Sequence, residues 1–223
     1  MNSHHLRLLC CSLALWLGLV ATSSAGSLAG RTRIELGAGM RSHSHHVTTH
    51  VGWDGVDLTT STGTIGRLSL SHWQDNNLAY VLAYTVHDLE TGTWVDYWGE
   101  TGEETSVVHS LMFGLRYYLP QSRTRSPMRP YFSAGVGPFI GTSHYRETDI
   151  CCCDVYSEVE NMTAFAARLG GGVDFQMSHR FMLGFNAGYN FVNDFPRPIN
   201  GRANFSGSEF GISFSYLFGR GGR

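Results

Sequence analysis

The sequence predicts an all-β chain, an eight-stranded antiparallel transmembrane up-and-down β-barrel, and three observations predict it. The first is the stretch Ser208 to Phe218, where Phe210, Ile212, Phe214, Tyr216 and Phe218 alternate with Glu209, Gly211, Ser213 and Ser215, Leu217 being the exception. Successive strand side chains point to opposite faces, so one face is apolar and the other small or polar. At about 11 residues the stretch has the length of one tilted membrane-crossing strand. The second is the chemistry of those faces. A water-soluble sandwich has a mostly aliphatic inner face and Lys, Glu and Thr outside, whereas here the polar face is Gly and Ser and the apolar face is aromatic. That inversion suits lipid outside and a cramped polar interior. The third is spacing: the alternating segments are joined by connections that run long, short, long, short, long, short, long, as in a barrel with short turns on one side of a membrane and long loops on the other.

Each element follows from the same alternation. Arg33 to Arg41 reads as strand one, with Ile34, Leu36, Ala38 and Met40 outward and Glu35, Gly37 and Gly39 inward, followed by a long polar loop over residues 42 to 63. Thr64 to Trp73 is strand two, with Leu68 and Leu70 outward and Arg67, Ser69 and Ser71 inward. The turn Asp75-Asn76-Asn77 delivers strand three, Leu78 to Asp88. An acidic loop over 89 to 104 leads to strand four, about Val107 to Leu119, with Phe113, Leu115 and Tyr117 outward and Ser110, Gly114 and Arg116 inward. It stops at Pro120. Strand five, Tyr131 to Thr142, contains Pro138, for which a closed barrel has no free edge, so a bulge or a missing ladder bond is expected there. After an acidic loop over 144 to 162 comes strand six, about Thr163 to Met177, with Arg168, Gly170, Gly172 and Asp174 inward. Ser178-His179-Arg180 turns the chain into strand seven, whose Phe181, Leu183, Phe185, Tyr189 and Phe191 face outward, and a loop over 194 to 206 returns it to strand eight. Ten strands stay open as an alternative, because Val47 to Trp53 could add a hairpin arm above the membrane. Trp73, Tyr117, Tyr118 and Tyr189 fit interfacial aromatic girdles.

Composition points the same way. The chain is long enough for one domain and is near neutral, with 15% charged residues and 27 glycines, and nothing in it asks for a nucleic-acid partner. Met1 to Arg7 is weakly basic, Leu8 to Val20 is a compact apolar run, and Ser23-Ser24-Ala25 offers small residues for a signal peptidase. Residues 1 to 25 therefore read as a cleaved signal peptide and 26 to 223 as the barrel domain. The alternative, a retained anchor, falls short of the roughly 20 residues of a spanning helix. Lipid attachment at Cys10 or Cys11 is not expected, since Arg-Leu-Leu precedes them instead of small residues. No later segment is apolar enough for a membrane helix. An exported chain left with alternating strands is either soluble and secreted or a barrel in an outer membrane.

The strings GLRYYLP (114 to 120), RPYFSAGVGPFIG (129 to 141), ARLGGGVDF (167 to 175) and FMLGFNAGYNF (181 to 191), with the final aromatic strand, resemble the small outer-membrane β-barrel proteins of Gram-negative bacteria, the broad OmpA-transmembrane-like group, over essentially the whole mature chain. The resemblance implies the architecture and a place in the outer membrane, among outer-membrane lipid and lipopolysaccharide and as a monomer. It does not fix an activity, because the group ranges from structural anchors to adhesins. One departure is the tail Gly219-Arg220-Gly221-Gly222-Arg223, where such chains often end on the last aromatic residue.

Eight strands enclose a space just wide enough for side chains, which argues against a diffusion pore. The inward charges are Glu35, Arg67, Arg116, Arg168, Asp174 and Glu209, three of each sign. Strand direction puts Glu35, Arg116 and Asp174 toward the periplasmic end and Arg67, Arg168 and Glu209 toward the outer end. Unpaired, each would cost several kcal/mol, so two layers of salt bridges are expected, with inward glycines making room for the arginines.

Candidate chemistry is sparse. A lipid A deacylase-like hydrolase would need a nucleophilic Ser, a His and a carboxylate at the outer rim. Residues of those types are His109 with Ser110, His87 with Asp88, and His144 with Ser143, but neighbours on a strand face opposite ways. No catalytic residue, cofactor site or metal ligand is assigned. His43, His45, His46 and His50 could together bind zinc or copper, and a solvated loop explains them as well. Cys151, Cys152 and Cys153 cannot all pair with one another, so a disulfide with a spare thiol or metal capture remains open. The acidic loops, with Asp88, Glu90, Asp96, Glu100, Glu103 and Glu104 in one and Glu147, Asp149, Asp154, Glu158 and Glu160 in another, could recruit divalent cations that bridge to lipopolysaccharide phosphates. The expected role is structural or surface-interacting without a pore; the alternatives are the hydrolase and a soluble secreted lipocalin-like binder, which would turn its aromatic faces inward.

Overall fold

The computed structural model describes residues 27–51, 56–95, 101–120, 127–148, 155–199 and 202–219. Among them eight strands form one sheet: β1 Thr32–Val51, β2 Val56–Trp73, β3 Leu78–Val95, β4 Thr101–Tyr118, β5 Met128–Thr148, β6 Val155–Gln176, β7 Phe181–Val192 and β8 Gly207–Phe218. Each pairs antiparallel with its sequence neighbour, and β1 pairs with β8 from Thr32 opposite Phe218 to His43 opposite Gly207, which closes the barrel. No lipid-facing edge is left with unpaired backbone groups, as a strand-built membrane protein requires. The proposed signal at 1 to 25, Cys10, Cys11, Cys151 to Cys153, Asp96, Glu100, Asp149, Asp154 and Arg220 to Arg223 lie outside the described residues.

The alternating rings look outward. Leu36, Phe132, Phe210 and Ile212 are 67%, 63%, 61% and 54% exposed, while Glu35, Asp174, Glu209 and Ser215 are buried. A soluble binder would show the reverse. The apolar belt is the face that meets hydrocarbon.

Three expectations are corrected. The stretches 42 to 63, 89 to 104 and 144 to 162 are largely continuations of the strands as paired hairpins. Thr101 to Ser106 pairs with Ser143 to Thr148, and Ser143 to Thr148 with Val155 to Glu160. Beyond the hydrocarbon the ladder needs no apolar face, and β-branched residues such as Thr91, Thr93, Thr101 and Thr105 favour extended backbone, so the period-2 signal vanishes while the strand goes on. The extra arm also dissolves: Val47 to Val51 pairs with Val56 to Thr60 as an extension of β1 and β2 past an irregularity between Ser42 and Val47. The count stays at eight among the described residues.

The third correction concerns Trp73 and Tyr118. Both are buried inside the barrel. Trp73 shares parity with Arg67, Ser69 and Ser71, and Tyr118 with Arg116, so alternation turns them inward and leaves Tyr117 at the lipid surface. With Leu28, Ala79, Tyr131, Met182 and Leu217 they make an apolar floor at the short-turn end. The inward Leu217, the exception in the β8 pattern, is part of that floor. Its neighbouring turn is fixed by Asp75, whose Oδ1 accepts from the Asn77 and Leu78 amides at 2.7 and 2.8 Å.

At Pro138 the β5–β6 register runs on unbroken, Pro138 opposite Phe165. On the other side, pairing with β4 stops at Ser110 opposite Phe139 and resumes at Phe113 opposite Val136 in the same register. The ladder is interrupted without an inserted residue, as a side chain lacking an N–H donor requires.

Candidate functional site

The lumen holds the charges, and each strand supplies them from its inward parity. Toward the short-turn end, Arg116 Nη1 lies 3.1 Å from Glu35 Oε2 and 3.4 Å from Asp174 Oδ2. Arg33 joins them, bound to Glu35 and 2.6 Å from Asp174 Oδ2. Tyr118 Oη donates to the same Asp174 oxygen at 2.7 Å. Higher in the barrel, Arg67 Nη2 and Arg168 Nε both reach Glu209 Oε2, at 2.6 and 3.2 Å. Arg67 also donates to Thr85 Oγ1 at 3.2 Å and to Asn186 Oδ1 at 3.4 Å. The six inward charges read from the sequence thus lie in two clusters, Glu35, Arg116 and Asp174 in one and Arg67, Arg168 and Glu209 in the other.

Sequence reasoning missed Arg33, Arg41 and His87 as members. Arg33 and Arg41 share parity with the assigned inward Glu35, and His87 lies on the face of β3 opposite the apolar Tyr80, Leu82 and Tyr84, so the signal was present. Their position at strand ends hid it.

Glycines opposite the charged groups supply space. A Cβ on Gly188 would stand 3.0 Å from Arg168 Nη2, and one on Gly184 would stand 2.7 Å from Asp174 Oδ1. The charge layers also rest on aromatic rings. The Arg33 guanidinium sits 5.2 Å from the Trp73 ring centroid, Arg116 sits 4.3 Å from Tyr131, and Arg41 sits 5.6 Å from Phe139. These cation–π contacts join the ionic layers to the apolar ends of the lumen.

The outer end is plugged by a segment the sequence marks only as a return loop. Residues 193 to 199 and 202 to 206 fold into the mouth, where Phe195, Ile199 and Phe205 pack with Val108, Met112, Phe139, Ala164, Ala166 and Val192. Gly141 leaves the room Ile199 occupies. The loop is tied by Phe195 N to Ala203 O at 2.8 Å and by Ile199 and Arg202, which exchange backbone bonds at 2.8 and 2.9 Å. Asn204 Nδ2 donates to Val192 O at 3.0 Å and to Asp194 Oδ1 at 2.6 Å.

The candidate histidines meet other partners, and the side chain of Asp88 lies outside the described residues. His109 stacks on Tyr84 at 6.1 Å between centroids, and His144 Nε2 lies 3.1 Å from Ser157 Oγ. His87 meets Ser110 instead, Nε2 to Oγ at 2.9 Å, with Glu209 Oε1 3.5 Å from its Nδ1. This brings Ser, His and carboxylate together in the buried lumen and not at the outer rim. The tautomer that suits Arg41 is the unhelpful one, however. Arg41 Nη1 approaches Nδ1 at 3.1 Å, and a guanidinium can only donate. The Arg41 contact is met when Nδ1 accepts and Nε2 donates to Ser110, whereas a base for Ser110 needs a bare Nε2 and the proton on Nδ1, toward Glu209 Oε1.

His43 is buried against Phe205, ring centroids 6.0 Å apart. The side chains of His45, His46 and His50 lie outside the described residues, and among those described no group of three His, Cys, Asp or Glu side chains is placed to hold a metal.

Comparison with known proteins fits this architecture. The family model of the outer membrane protein beta-barrel domain matches residues 11–218. Among solved structures, Neisserial surface protein A is 14% identical with a TM-score of 0.50, covering 87% of this chain and 100% of that one. Ail, the attachment invasion locus protein of Yersinia pestis, is 13% identical with a TM-score of 0.48 over 85% of this chain and 99% of that one. OprG from Pseudomonas aeruginosa is 15% identical with a TM-score of 0.48 over 87% and 99%. None of the curated proteins matches. At such identities the likeness concerns the fold alone. With the closed eight-stranded barrel, its outward apolar belt and the family match in hand, the chain belongs to the outer membrane protein β-barrel domain family and resides in the bacterial outer membrane.

Proposed function

We propose that this protein is a closed, pore-free barrel with a structural or surface-interaction role and no reaction of its own. The observation that carries the reading is the stacking of the lumen: an apolar floor, two ionic clusters and an apolar outer plug follow one another along the barrel axis. Such a column among the described residues supports a closed lumen, and an eight-stranded barrel has no width to spare. The Arg41 contact with His87 Nδ1 argues against an activated Ser110 in the same space. The parts free to meet partners are the paired hairpins that rise beyond the apolar belt. The acidic residues of these hairpins draw divalent cations that bridge to lipopolysaccharide phosphates, while the belt itself meets outer-membrane lipid and the chain acts as a monomer. Export removes residues 1 to 25.

The test is conductance of the purified barrel in a planar bilayer. The expected outcome is no current at the level of a general porin; sustained current of that size overturns the reading. Lipopolysaccharide retained on the purified barrel in magnesium and released by a chelator is the matching outcome for the hairpins.

A further inference from the structure

The upper ionic cluster has an imbalance that the lower one lacks. In the lower cluster two guanidiniums, Arg33 and Arg116, meet two carboxylates, Glu35 and Asp174. In the upper cluster Arg67 and Arg168 share a single carboxylate, and both address the same oxygen of Glu209. Within the upper trio of Arg67, Arg168 and Glu209 there is thus one positive charge more than negative, and the buried Arg41 lies close by, 3.1 Å from His87 Nδ1. Arg67 and Arg168 also repel each other across this carboxylate. A net buried charge is expensive in so narrow a space.

Beside this cluster lies a cavity of about 50 Å³. It is lined by Arg67, Arg168, Ser69, Asn190 and Arg116 among others. Four of these lining residues carry a buried polar atom with no hydrogen-bond partner in the protein, Arg168 Nη2, Asn190 Nδ2, Ser69 Oγ and Arg116 Nε, while Val81, Ala83, Met112 and Leu115 form apolar wall. Most of those four atoms are donors. The space suits a few water-sized particles, at roughly 10–15 Å³ each. Excess positive charge, buried donors and a small volume together select a ligand that is monovalent, anionic and compact.

We infer that the lumen binds one halide-sized anion, chloride in the cell, between Arg67 and Arg168, with Asn190 and Ser69 completing its shell. The anion offsets the excess positive charge of the Arg67, Arg168 and Glu209 trio and takes up the hydrogen-bonding capacity of Arg168 Nη2. The inference goes beyond the surface role proposed above and stands or falls separately from it, because a barrel without this anion could still be pore-free.

The test uses the folded mature chain in detergent, with wild type and Arg168→Gln compared. Removing the Arg168 guanidinium takes away the excess charge of the trio and the donor, so the two proteins should differ in chloride response. Chloride replaces gluconate at fixed ionic strength, and the readout is the midpoint of heat-induced unfolding followed by gel mobility. Wild type should rise steadily with the logarithm of chloride concentration once the site begins to fill, and Arg168→Gln should be flat. Equal slopes in the two proteins, or no slope in wild type, overturn the inference. Crystals grown in bromide give a second measurement that does not depend on the variant folding: an anomalous peak between Arg67 and Arg168 supports the site, and water density alone in the cavity overturns it.

Discussion

Arg67 Nη2 and Glu209 Oε2 lie 2.6 Å apart in the middle of the barrel, and Arg168 Nε reaches the same oxygen at 3.2 Å. The carboxylate comes from the final strand, the two guanidiniums from β2 and β6. One acidic side chain thus ties three strands across the lumen. Glu209→Gln would leave two buried guanidiniums without their counter-ion, and breaking a buried pair this way typically costs about 3–5 kcal/mol. The expected outcome is a large drop in the denaturant midpoint of the folded barrel in lipid vesicles. An unchanged midpoint would mean that Glu209 is not the counter-ion of this cluster.

Tyr118 and Tyr117 are adjacent but face opposite sides. Tyr118 donates to Asp174 at 2.7 Å inside the lumen, whereas Tyr117 is 46% exposed on the lipid face. Tyr118→Phe should therefore lower stability by about 1–3 kcal/mol, since it strips a buried carboxylate of a donor. Tyr117→Phe should fall within about 0.5 kcal/mol of wild type. Equal effects from the two substitutions would contradict the inward position of Tyr118.

Ile212 stands mid-strand on the apolar belt at 54% exposure. An arginine there would have to enter hydrocarbon, at about 2–4 kcal/mol near the bilayer midplane. Ile212→Arg should destabilise the barrel by that order in vesicles and much less in a loosely packed detergent micelle. A vesicle measurement with no loss would remove Ile212 from the lipid face.

Gly172 has no room for a side chain: a Cβ would stand 2.6 Å from Tyr131 Oη and press on the Phe185 carbonyl. Gly66, by contrast, has nothing within 4 Å of that position. Gly172→Val should block assembly, seen as loss of the heat-modifiable form from outer-membrane fractions, while Gly66→Ala should assemble normally. Normal assembly of both would show that the close approach over Gly172 is readily relaxed.

Much of this architecture is legible in the alternation. Wherever a strand crosses hydrocarbon, every second residue must be apolar, so Phe210 to Phe218 and its counterparts reveal crossing, facing and count together. The two clusters follow from parity and strand direction, which is why Glu35, Arg116 and Asp174 fall together while Arg67, Arg168 and Glu209 form the other group. Parity applied to the strand ends would have added Arg33, Arg41 and His87 and turned Trp73 and Tyr118 inward. Beyond the lipid the constraint on side chains lapses, and the paired hairpins carry no pattern by which a sequence could distinguish them from loops.

The sequence by itself determined the eight crossings, the lipid-facing belt and six of the inward charges, because a two-residue period against hydrocarbon allows one arrangement of faces. Only the tertiary structure decided the partners. The choice of Ser110 by His87, the packing of Phe195, Ile199 and Phe205 in the mouth, and the sharing of one Glu209 oxygen by two arginines depend on how eight strands are staggered around a closed ring. Those contacts join residues far apart in the chain at heights fixed by register, and register is a property of the closed barrel and not of any one strand.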